Sequence, residues 1–159
     1  MPKAQCLGFY RLTYESHASL PEHPDARLAA LHDILQSARR RNIHCGVSGV
    51  LLHNQKAFFQ TLEGNKTEVE HVFERIVNDA RHTQVRVLER KYARSRIFHS
   101  WSMAYVEFPA DAAWSERMVE ELPAMLTNKM SKHAESHRPS ESARKIVAER
   151  EGRMRNLQL

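Results

Sequence analysis

Apolar and polar residues alternate along the chain in two spacings, one with a period of two and one with a helical period. Two apolar runs, residues 47–52 and 57–62, flank a polar stretch of four residues and together predict a β-hairpin. Residues 7–14 are dense in β-forming side chains and predict a first strand, and alternation predicts further strands at 84–88 and 100–107. The residues between these last two strands are basic and polar, which indicates a strand end followed by a loop.

Helical spacing of apolar residues predicts two helices, one over residues 25–41 and one over residues 67–77. The first ends in three consecutive arginines and is followed by Asn42, and both features are typical of a helix C-terminus. Capping and solvation alone would account for these four side chains. The second helix begins with Thr67 and Glu70 at the spacing of a capping box.

The order of these elements is β-α-β-β-α-β followed by one more strand. It predicts an α+β, ferredoxin-like fold with an added fifth strand and with both helices on one face of a mainly antiparallel sheet. One domain is therefore expected over residues 1–108. Residues 109–159 are expected to form a C-terminal helical extension, with a helix at 114–126 that contains Pro123 and a short helix at 140–151.

Composition narrows the class of protein. The 159 residues are 42% apolar, enough for a packed core, and no apolar run approaches the roughly 18 residues of a membrane span. We expect no signal peptide, a cytoplasmic location and free thiols at the two cysteines, which have no metal-ligand spacing. The ten histidines are scattered, so no metal site is expected. Most of the net charge of +5 comes from residues 128–155, a basic tail that is either solvated or able to bind nucleic acid or an acidic protein surface.

One residue of the hairpin does not fit a plain core strand. Gln60 lies between Phe59 and Thr61, where a buried side-chain amide needs hydrogen-bond partners. Two tyrosines, Tyr10 and Tyr14, share one face of the first strand. The chain lacks hydrolase, P-loop and GxGxxG motifs, the aromatic motif of RNA-binding modules and the phosphate loop of acylphosphatases. The fold by itself therefore leaves the function open.

Four segments carry a resemblance to a known family. They are Asn42 with GVSGVLL and FFQTLEG up to Gly64, LTYES up to Ser16, DARH up to His82, and FHSWSM up to Met103. In their order and spacing along the chain, these segments resemble the BLUF family of flavin-binding blue-light sensors. The resemblance covers about two-thirds of the chain. It also favours Tyr14 over Tyr10 as the photoactive tyrosine, because the family places its tyrosine two residues before a serine.

The resemblance implies a set of flavin-binding residues. Ile34 and Ile76 would press the two faces of the isoalloxazine ring, and Asn42 would bond its polar edge. Arg75 would lie towards the ribityl and phosphate side, with Arg81 and His82 as further candidates for that region. Gln60 would bridge Tyr14 and the flavin. Ala38 occupies a position where some members carry a hydroxyl group, so the hydrogen-bond network is expected to be thinner here.

The implied function is that of a photoreceptor, not an enzyme. Light would drive electron and proton transfer from Tyr14, and rearranged Gln60 hydrogen bonds would give a reversible red-shifted state. Trp101 and Met103 would relay the change, although ordinary core packing would also account for both. FAD is the default cofactor, with FMN or riboflavin possible.

The output is expected to pass through protein contacts. About fifty residues follow Glu107, too few for a cyclase or a diesterase, so a separate regulatory protein would read the signal. A homo-oligomer is expected. Two alternatives stay open: a nucleic-acid-binding module that uses the basic tail, and a light-independent scaffold in which flavin is only structural.

Overall fold

The computed structural model describes residues 8–99, 101–112, 121 and 124. The chain divides into two units, Met1–Val119 and Glu120–Leu159, and the account below concerns the first. Glu121 and Ala124 are helical, and the rest of the two helices predicted at 114–126 and 140–151 lies outside the described residues, as does the basic tail. In the part of the chain that the structure describes, no helix is long and apolar enough to cross a membrane.

Five strands form one sheet, and two helices connect them. The strands are β1 (Phe9–Ala18), β2 (Ser48–His53), β3 (Ala57–Gly64), β4 (His82–Ala93) and β5 (Ala104–Glu107), and the helices are α1 (Pro24–Cys45) and α2 (Lys66–Val77). The strand order is β4-β1-β3-β2-β5, with β5 parallel to β2 and the other neighbours antiparallel. The ferredoxin-like prediction with an added fifth strand is confirmed.

The inner face of the sheet carries the core. Alternation along β1 puts Tyr10, Leu12 and Tyr14 on this face, and the β1–β3 register places Tyr14 directly opposite Gln60. Both helices cover this face. Their buried apolar residues are Leu31 and Ile34 from α1 and Val69, Val72 and Phe73 from α2, and they join the same apolar cluster as Leu12, Leu51, Phe58 and Leu62.

Helix α1 is longer than the sequence pattern predicts. It continues to Cys45 and ends at Gly46, whose φ of 62° lies in the left-handed region that glycine tolerates without strain. Asn42 therefore lies inside the last turns of the helix and does not end it. Its side chain is free to bond elsewhere because the cap is made by the Gly46 amide.

The capping box predicted for α2 is wrong. Asn65 is the N-cap, and its side chain accepts a hydrogen bond from the Thr67 amide. Glu70, the predicted reciprocal partner, instead accepts a hydrogen bond of 2.5 Å from the Tyr10 hydroxyl and pairs with Arg90. The Glu70 carboxylate is thus engaged by side chains of β1 and β4 and does not cap the helix.

Two predicted strand boundaries were also wrong. Strand β4 runs for 12 residues from His82 to Ala93, well beyond the predicted 84–88. Because β4 is an edge strand, its outer residues stay polar and conceal the alternation. Strand β5 is shorter than predicted and begins at Ala104, so Trp101 and Met103 precede it.

Candidate functional site

A cleft between α1 and α2 opens above the centre of β3. All seven residues that the resemblance implied for cofactor binding line it: Ile34, Asn42, Gln60, Arg75, Ile76, Arg81 and His82. The atom-free space within it is about 490 Å³, part of it open to solvent. Ile34 and Ile76 come from different helices, so the cleft has an aliphatic side chain on each of two walls.

Tyr14 lies beneath the cleft and contacts Gln60. It is completely buried, and its hydroxyl donates a short hydrogen bond to Gln60 Oε1. Its ring packs against Phe73, with 5.3 Å between the ring centroids. Burial, with a smaller contribution from the charge of Asp79, raises the pKa of Tyr14 well above its usual value. The phenol is therefore neutral, and its hydroxyl hydrogen is donated to the amide oxygen of Gln60.

Gln60 is held differently on its two sides. Its Oε1 accepts from Tyr14, while its Nε2 donates to the sulfur of Met103 at 3.3 Å. A thioether is a weak acceptor, so this second bond adds little to the orientation of the amide. The orientation is set by Tyr14, and rotation of the amide would sacrifice only a weak contact on the Met103 side.

Asn42 presents an unsatisfied acceptor. Its side chain is 1% exposed, and Nδ2 donates to the Ser102 carbonyl oxygen at 2.6 Å. Its Oδ1 is buried and has no hydrogen-bond partner among the described residues. An unpaired buried acceptor costs about 1–3 kcal/mol, which a ligand N–H within the cleft would recover.

A family model described as "BLUF: Sensors of blue-light using FAD" matches residues 9–104. The chain belongs to the BLUF family. It is therefore a flavin-binding blue-light sensor, and FAD is the cofactor of the family.

Relatives and solved structures agree with this family. A photoactivated adenylate cyclase subunit beta of Euglena gracilis is 35% identical over 103 residues, which are 64% of this chain and 12% of that protein. The blue light- and temperature-regulated antirepressor BluF of Escherichia coli is 34% identical over 87 residues, 55% of this chain and 21% of that protein. The chain thus spans only a small part of the length of these relatives.

Solved BLUF structures share the fold. The dark-state structure of BlrB, a BLUF protein, has a TM-score of 0.67 and 26% identity, and covers 77% of this chain and 97% of that one. The photo-activated state of BlsA has a TM-score of 0.58 and 34% identity, and covers 73% of this chain and 78% of that one.

The side chains that line the cleft fit a flavin. An isoalloxazine ring is flat and apolar on both faces, and its polar edge carries one ring N–H between two carbonyl groups. The aliphatic walls at Ile34 and Ile76 suit the faces, and the unpaired Asn42 Oδ1 suits the N–H. The Gln60 amide, buried at the same cleft, offers a group that both donates and accepts.

Arg81 is engaged with protein carboxylates. Its guanidinium makes a bidentate pair with Asp79, at 2.7 to 3.1 Å, and reaches Asp33 on α1 at 2.7 Å. Hydrogen bonding to Asp79 is the main reason why the pKa of Arg81 is raised, and the same contact lowers the pKa of Asp79. Arg81 thus ties the turn before β4 to α1. The guanidinium of Arg75 makes no such pair with a described carboxylate, so Arg75 is the freer of the two cations.

His82 is a buried neutral imidazole. Its Nδ1 lies 3.1 Å from Ser16 Oγ, and its ring packs 4.6 Å from Phe58 and 6.2 Å from Tyr14, measured between centroids. Burial lowers the pKa of His82 to about 4. A neutral ring suits a wall of an aromatic cofactor site better than a contact with phosphate, the role that the resemblance implies for His82.

The two predicted relay residues differ in their contacts. Met103 is 2% exposed; its sulfur accepts from Gln60, and its carbonyl oxygen accepts from Arg39 Nε at 3.0 Å. Trp101 is partly buried, and its carbonyl oxygen accepts from the Gly49 amide at 3.2 Å. Met103 therefore contacts Gln60 directly, whereas Trp101 is joined to β2 through its backbone.

Sequence reasoning missed several residues of the site. Arg39 and Ser102 connect α1 to the segment before β5, and Asp33 and Asp79 hold Arg81. The run of three arginines, 39–41, was a usable signal for Arg39. The sequence analysis interpreted all three as charges at a helix end, whereas Arg39 faces the protein and bonds Met103. The Ser102 contact uses a backbone carbonyl and has no sequence signal.

Proposed function

We propose that Tyr14 and Gln60 form the light-sensitive switch of this BLUF domain, with the flavin ring in the cleft between α1 and α2. One observation carries the proposal: the Tyr14 hydroxyl donates to Gln60 Oε1 at the floor of a cleft that also presents the unpaired Asn42 Oδ1. A redox-active phenol, an amide that can reverse its hydrogen bonds and an open acceptor lie together.

Each of these residues has a defined task. Bound flavin supplies blue-light absorption and an excited state that accepts an electron. Tyr14 holds its proton firmly in the dark because burial raises its pKa. A phenol that loses an electron becomes strongly acidic, and Gln60 Oε1 is the acceptor that its proton meets. Gln60 then exchanges its donor and acceptor directions. The electron and the proton return to Tyr14, so no substrate is consumed.

The remaining residues hold the cofactor. Ile34 and Ile76 pack the ring, Asn42 bonds its polar edge, and His82 closes the cleft near Tyr14. Arg75 supplies positive charge at the exposed end of the cleft. Arg81 acts on the walls of the cleft by joining α1 to the turn before β4.

The signal would leave the site through residues 101–103. Gln60, Asn42 and Arg39 donate to this segment, and so does the Gly49 amide on β2. Reversal of the Gln60 amide removes one of these bonds and leaves the others in place, which favours a shift of Met103 relative to β5.

We infer that a separate protein reads this shift. The names of the relatives describe a light-controlled cyclase subunit and a light-regulated antirepressor, so BLUF domains serve different outputs. The proposed role of this chain is sensing, without catalysis of its own. Self-association, a cytoplasmic location and a domain boundary near residue 108 stay predictions.

The switch is tested by absorption spectra of the flavin-loaded chain in the dark and under blue light. We expect a small reversible red shift. Tyr14→Phe and Gln60→Leu are expected to keep the flavin and lose the shift. Tyr10→Phe is the matched control, since Tyr10 lies on the same strand and face but bonds Glu70. A normal shift in Tyr14→Phe, or loss of the shift in Tyr10→Phe, would overturn the assignment.

The output is tested separately. Size-exclusion chromatography with light-scattering detection, run in the dark and under illumination, compares the size of the oligomer in the two states. A light-dependent change in size or in partner capture supports signalling by protein contacts. Identical behaviour in both states, with a normal spectral shift, would favour a purely structural flavin over a signalling role.

A further inference from the structure

His53, the last residue of β2, is a buried titratable group that the photoreaction does not use. It is completely buried, and its ring Nε2 has no hydrogen-bond partner among the described residues. Its ring centroid lies 4.9 Å from that of Phe58, its partner in the β2–β3 register, so it shares the face of the sheet that carries Gln60. Buried polar atoms are seldom left unpaired, which indicates that His53 has a task beyond packing.

The other ring nitrogen of His53 meets Tyr105 on β5. The Tyr105 hydroxyl lies 3.4 Å from Nδ1, the distance of a long hydrogen bond. Because β2 and β5 are parallel neighbours, this pair joins the two strands through side chains as well as through the backbone. Burial, with a smaller contribution from the charge of Glu107, raises the pKa of Tyr105 to about 12. The hydroxyl therefore stays protonated and can donate to a neutral His53 ring.

The charged groups that act on His53 come from β5 and α1. Burial is the main reason why the pKa of His53 lies below its usual value; Glu107, opposite in the register, opposes the shift, and Arg27 of α1 adds to it. On the β3 side Phe58 is uncharged, and His82 beyond it is neutral. The His53 ring is therefore neutral at pH 7 and takes up a proton only in acidic solution.

Tyr105 follows Met103 by two residues, and the Met103 sulfur accepts from Gln60. Both side chains pack in the apolar cluster on the inner face of the sheet. A shift of Met103 is therefore carried along the chain to Tyr105, unless Tyr105 is held. The contact with His53 holds it, so Met103 moves against a strand that is fixed two residues away.

We propose that His53 and Tyr105 form a proton-sensitive anchor that holds β5 against β2 and thereby sets the rate at which Met103 returns after illumination. The inference rests on the switch proposed above. A neutral ring accepts the Tyr105 hydroxyl hydrogen at Nδ1. An imidazolium has no lone pair with which to accept it, and its second N–H finds no acceptor among the described residues. Protonation thus breaks the anchor, β5 follows Met103, and the lit state lasts longer.

The rate of dark recovery, measured against pH, tests the anchor. The flavin-loaded chain is pulsed with blue light from about pH 8 down to about pH 5, a range in which histidines commonly titrate and in which His82, with a pKa of about 4, stays largely neutral. A single long hydrogen bond is weak, so we expect recovery to slow roughly two- to threefold towards the acidic end. The size of the red shift is expected to stay constant, because Tyr14 and Gln60 are unaltered.

Two variants separate the bond from the proton. Tyr105→Phe removes only the hydroxyl and is expected to recover slowly at every pH. His53→Asn places an amide near the position of Nδ1 and does not titrate, so it is expected to keep the fast rate of neutral pH throughout. The matched controls are Tyr92→Phe and His17→Gln, which change exposed side chains on β4 and β1 and are expected to keep the wild-type pH profile.

A nuclear magnetic resonance titration of the protein in the dark gives a readout that does not depend on the photoreaction. A hydroxyl that donates to Nδ1 favours the neutral ring, so Tyr105→Phe is expected to raise the pKa of His53, followed through its assigned ring signals. Tyr92→Phe is expected to leave that pKa unchanged. The titration also decides the question if His53→Asn does not fold.

The proposal is overturned if wild-type recovery does not slow as the pH falls, or if Tyr105→Phe recovers at the wild-type rate. An unaltered pKa of His53 in Tyr105→Phe, or a wild-type pH profile in His53→Asn, would also contradict it. Absence of any red shift in the wild-type chain would instead overturn the proposed switch, so the two failures are distinguishable.

Discussion

The Tyr14 hydroxyl donates to Gln60 Oε1 between two residues that face each other directly across β1 and β3. Both strands are central in the sheet, and both side chains are almost completely buried. The pair is therefore positioned by the strand register and not by a loop, which keeps the proton donor and acceptor aligned. On its other side, the amide's hydrogen-bond partner among the described residues is the Met103 sulfur. Gln60 thus has one strong hydrogen-bond partner and one weak one.

Loss of that weak partner is expected to lengthen the lit state. Met103→Leu conserves volume but removes the sulfur that accepts from Gln60 Nε2 in the dark orientation. A weak hydrogen bond is worth about 0.5–1 kcal/mol, so dark recovery is expected to slow roughly two- to fivefold. Recovery is measured as the decay of the red-shifted absorption after a light pulse. Faster recovery would contradict the assigned orientation of the amide.

Burial of His82 predicts a pH dependence of stability. Its pKa is about 4 in the folded protein, below the usual 6.5, so only the unfolded chain binds this proton between these values. Stability is therefore fully present above pH 6.5 and is lost as the pH falls towards 4. The loss is expected to be about 3 kcal/mol, measured by urea unfolding in a constant excess of flavin.

Two variants separate His82 from other groups. His82→Gln keeps a polar partner for Ser16 and is expected to flatten the pH dependence. Some slope would remain, because burial also lowers the pKa of His53. Replacement of the exposed His17 by Gln is the control and is expected to keep the wild-type slope. An unchanged slope in His82→Gln would contradict the prediction.

The sequence predicted the parts of the fold that depend on local periodicity. The hairpin, both helices and the ferredoxin-like fold with an added fifth strand followed from apolar spacing and element order, and Gln60 was identified because an amide is unusual in a buried strand. The end of α1 was misplaced because Asn42 resembles a cap, whereas the left-handed Gly46 makes it. Asn42 and Gly46 are both residue types that commonly end a helix, and the left-handed conformation of Gly46 places the end there.

Contacts made by chain segments distant in sequence had no such signal. Met103 reaches Gln60 because residues 101–103 pack against α1, and that packing depends on the Arg39 and Asn42 side chains. The length of β4 was hidden because an edge strand keeps polar residues on its exposed positions. At the cleft, where local periodicity carries no signal, the resemblance to the BLUF family identified residues from α1, α2, β3 and the start of β4.

Close packing of β2 against β3 predicts a stability defect at Gly49. A Cβ added there would lie 2.1 Å from the Thr61 carbonyl oxygen, which is backbone and cannot rotate away. Gly49→Ala is expected to destabilise the fold by more than about 2 kcal/mol and to loosen the Trp101 segment, which bonds the Gly49 amide. Gly64→Ala, where the nearest atom is 3.2 Å away, is expected to cost less in the same urea unfolding measurement. Equal losses would contradict the argument.

A buried ion pair on the outer face of the sheet fixes the segment that leads to Met103. Glu63 accepts from Arg11 Nε at 2.7 Å and from the amides of Ile97 and Phe98. Glu63→Gln leaves the Arg11 charge without a counterion, and we expect a loss of about 3–5 kcal/mol in urea unfolding. Glu15→Gln is the control: it breaks a pair with Arg86, whose side chain is 67% exposed, and is expected to cost less than about 1 kcal/mol. If both variants lost the same stability, burial would not be the cause. Because the Glu63 contacts hold residues 97 and 98, Glu63→Gln is also expected to change the dark recovery rate while Glu15→Gln leaves it unaltered.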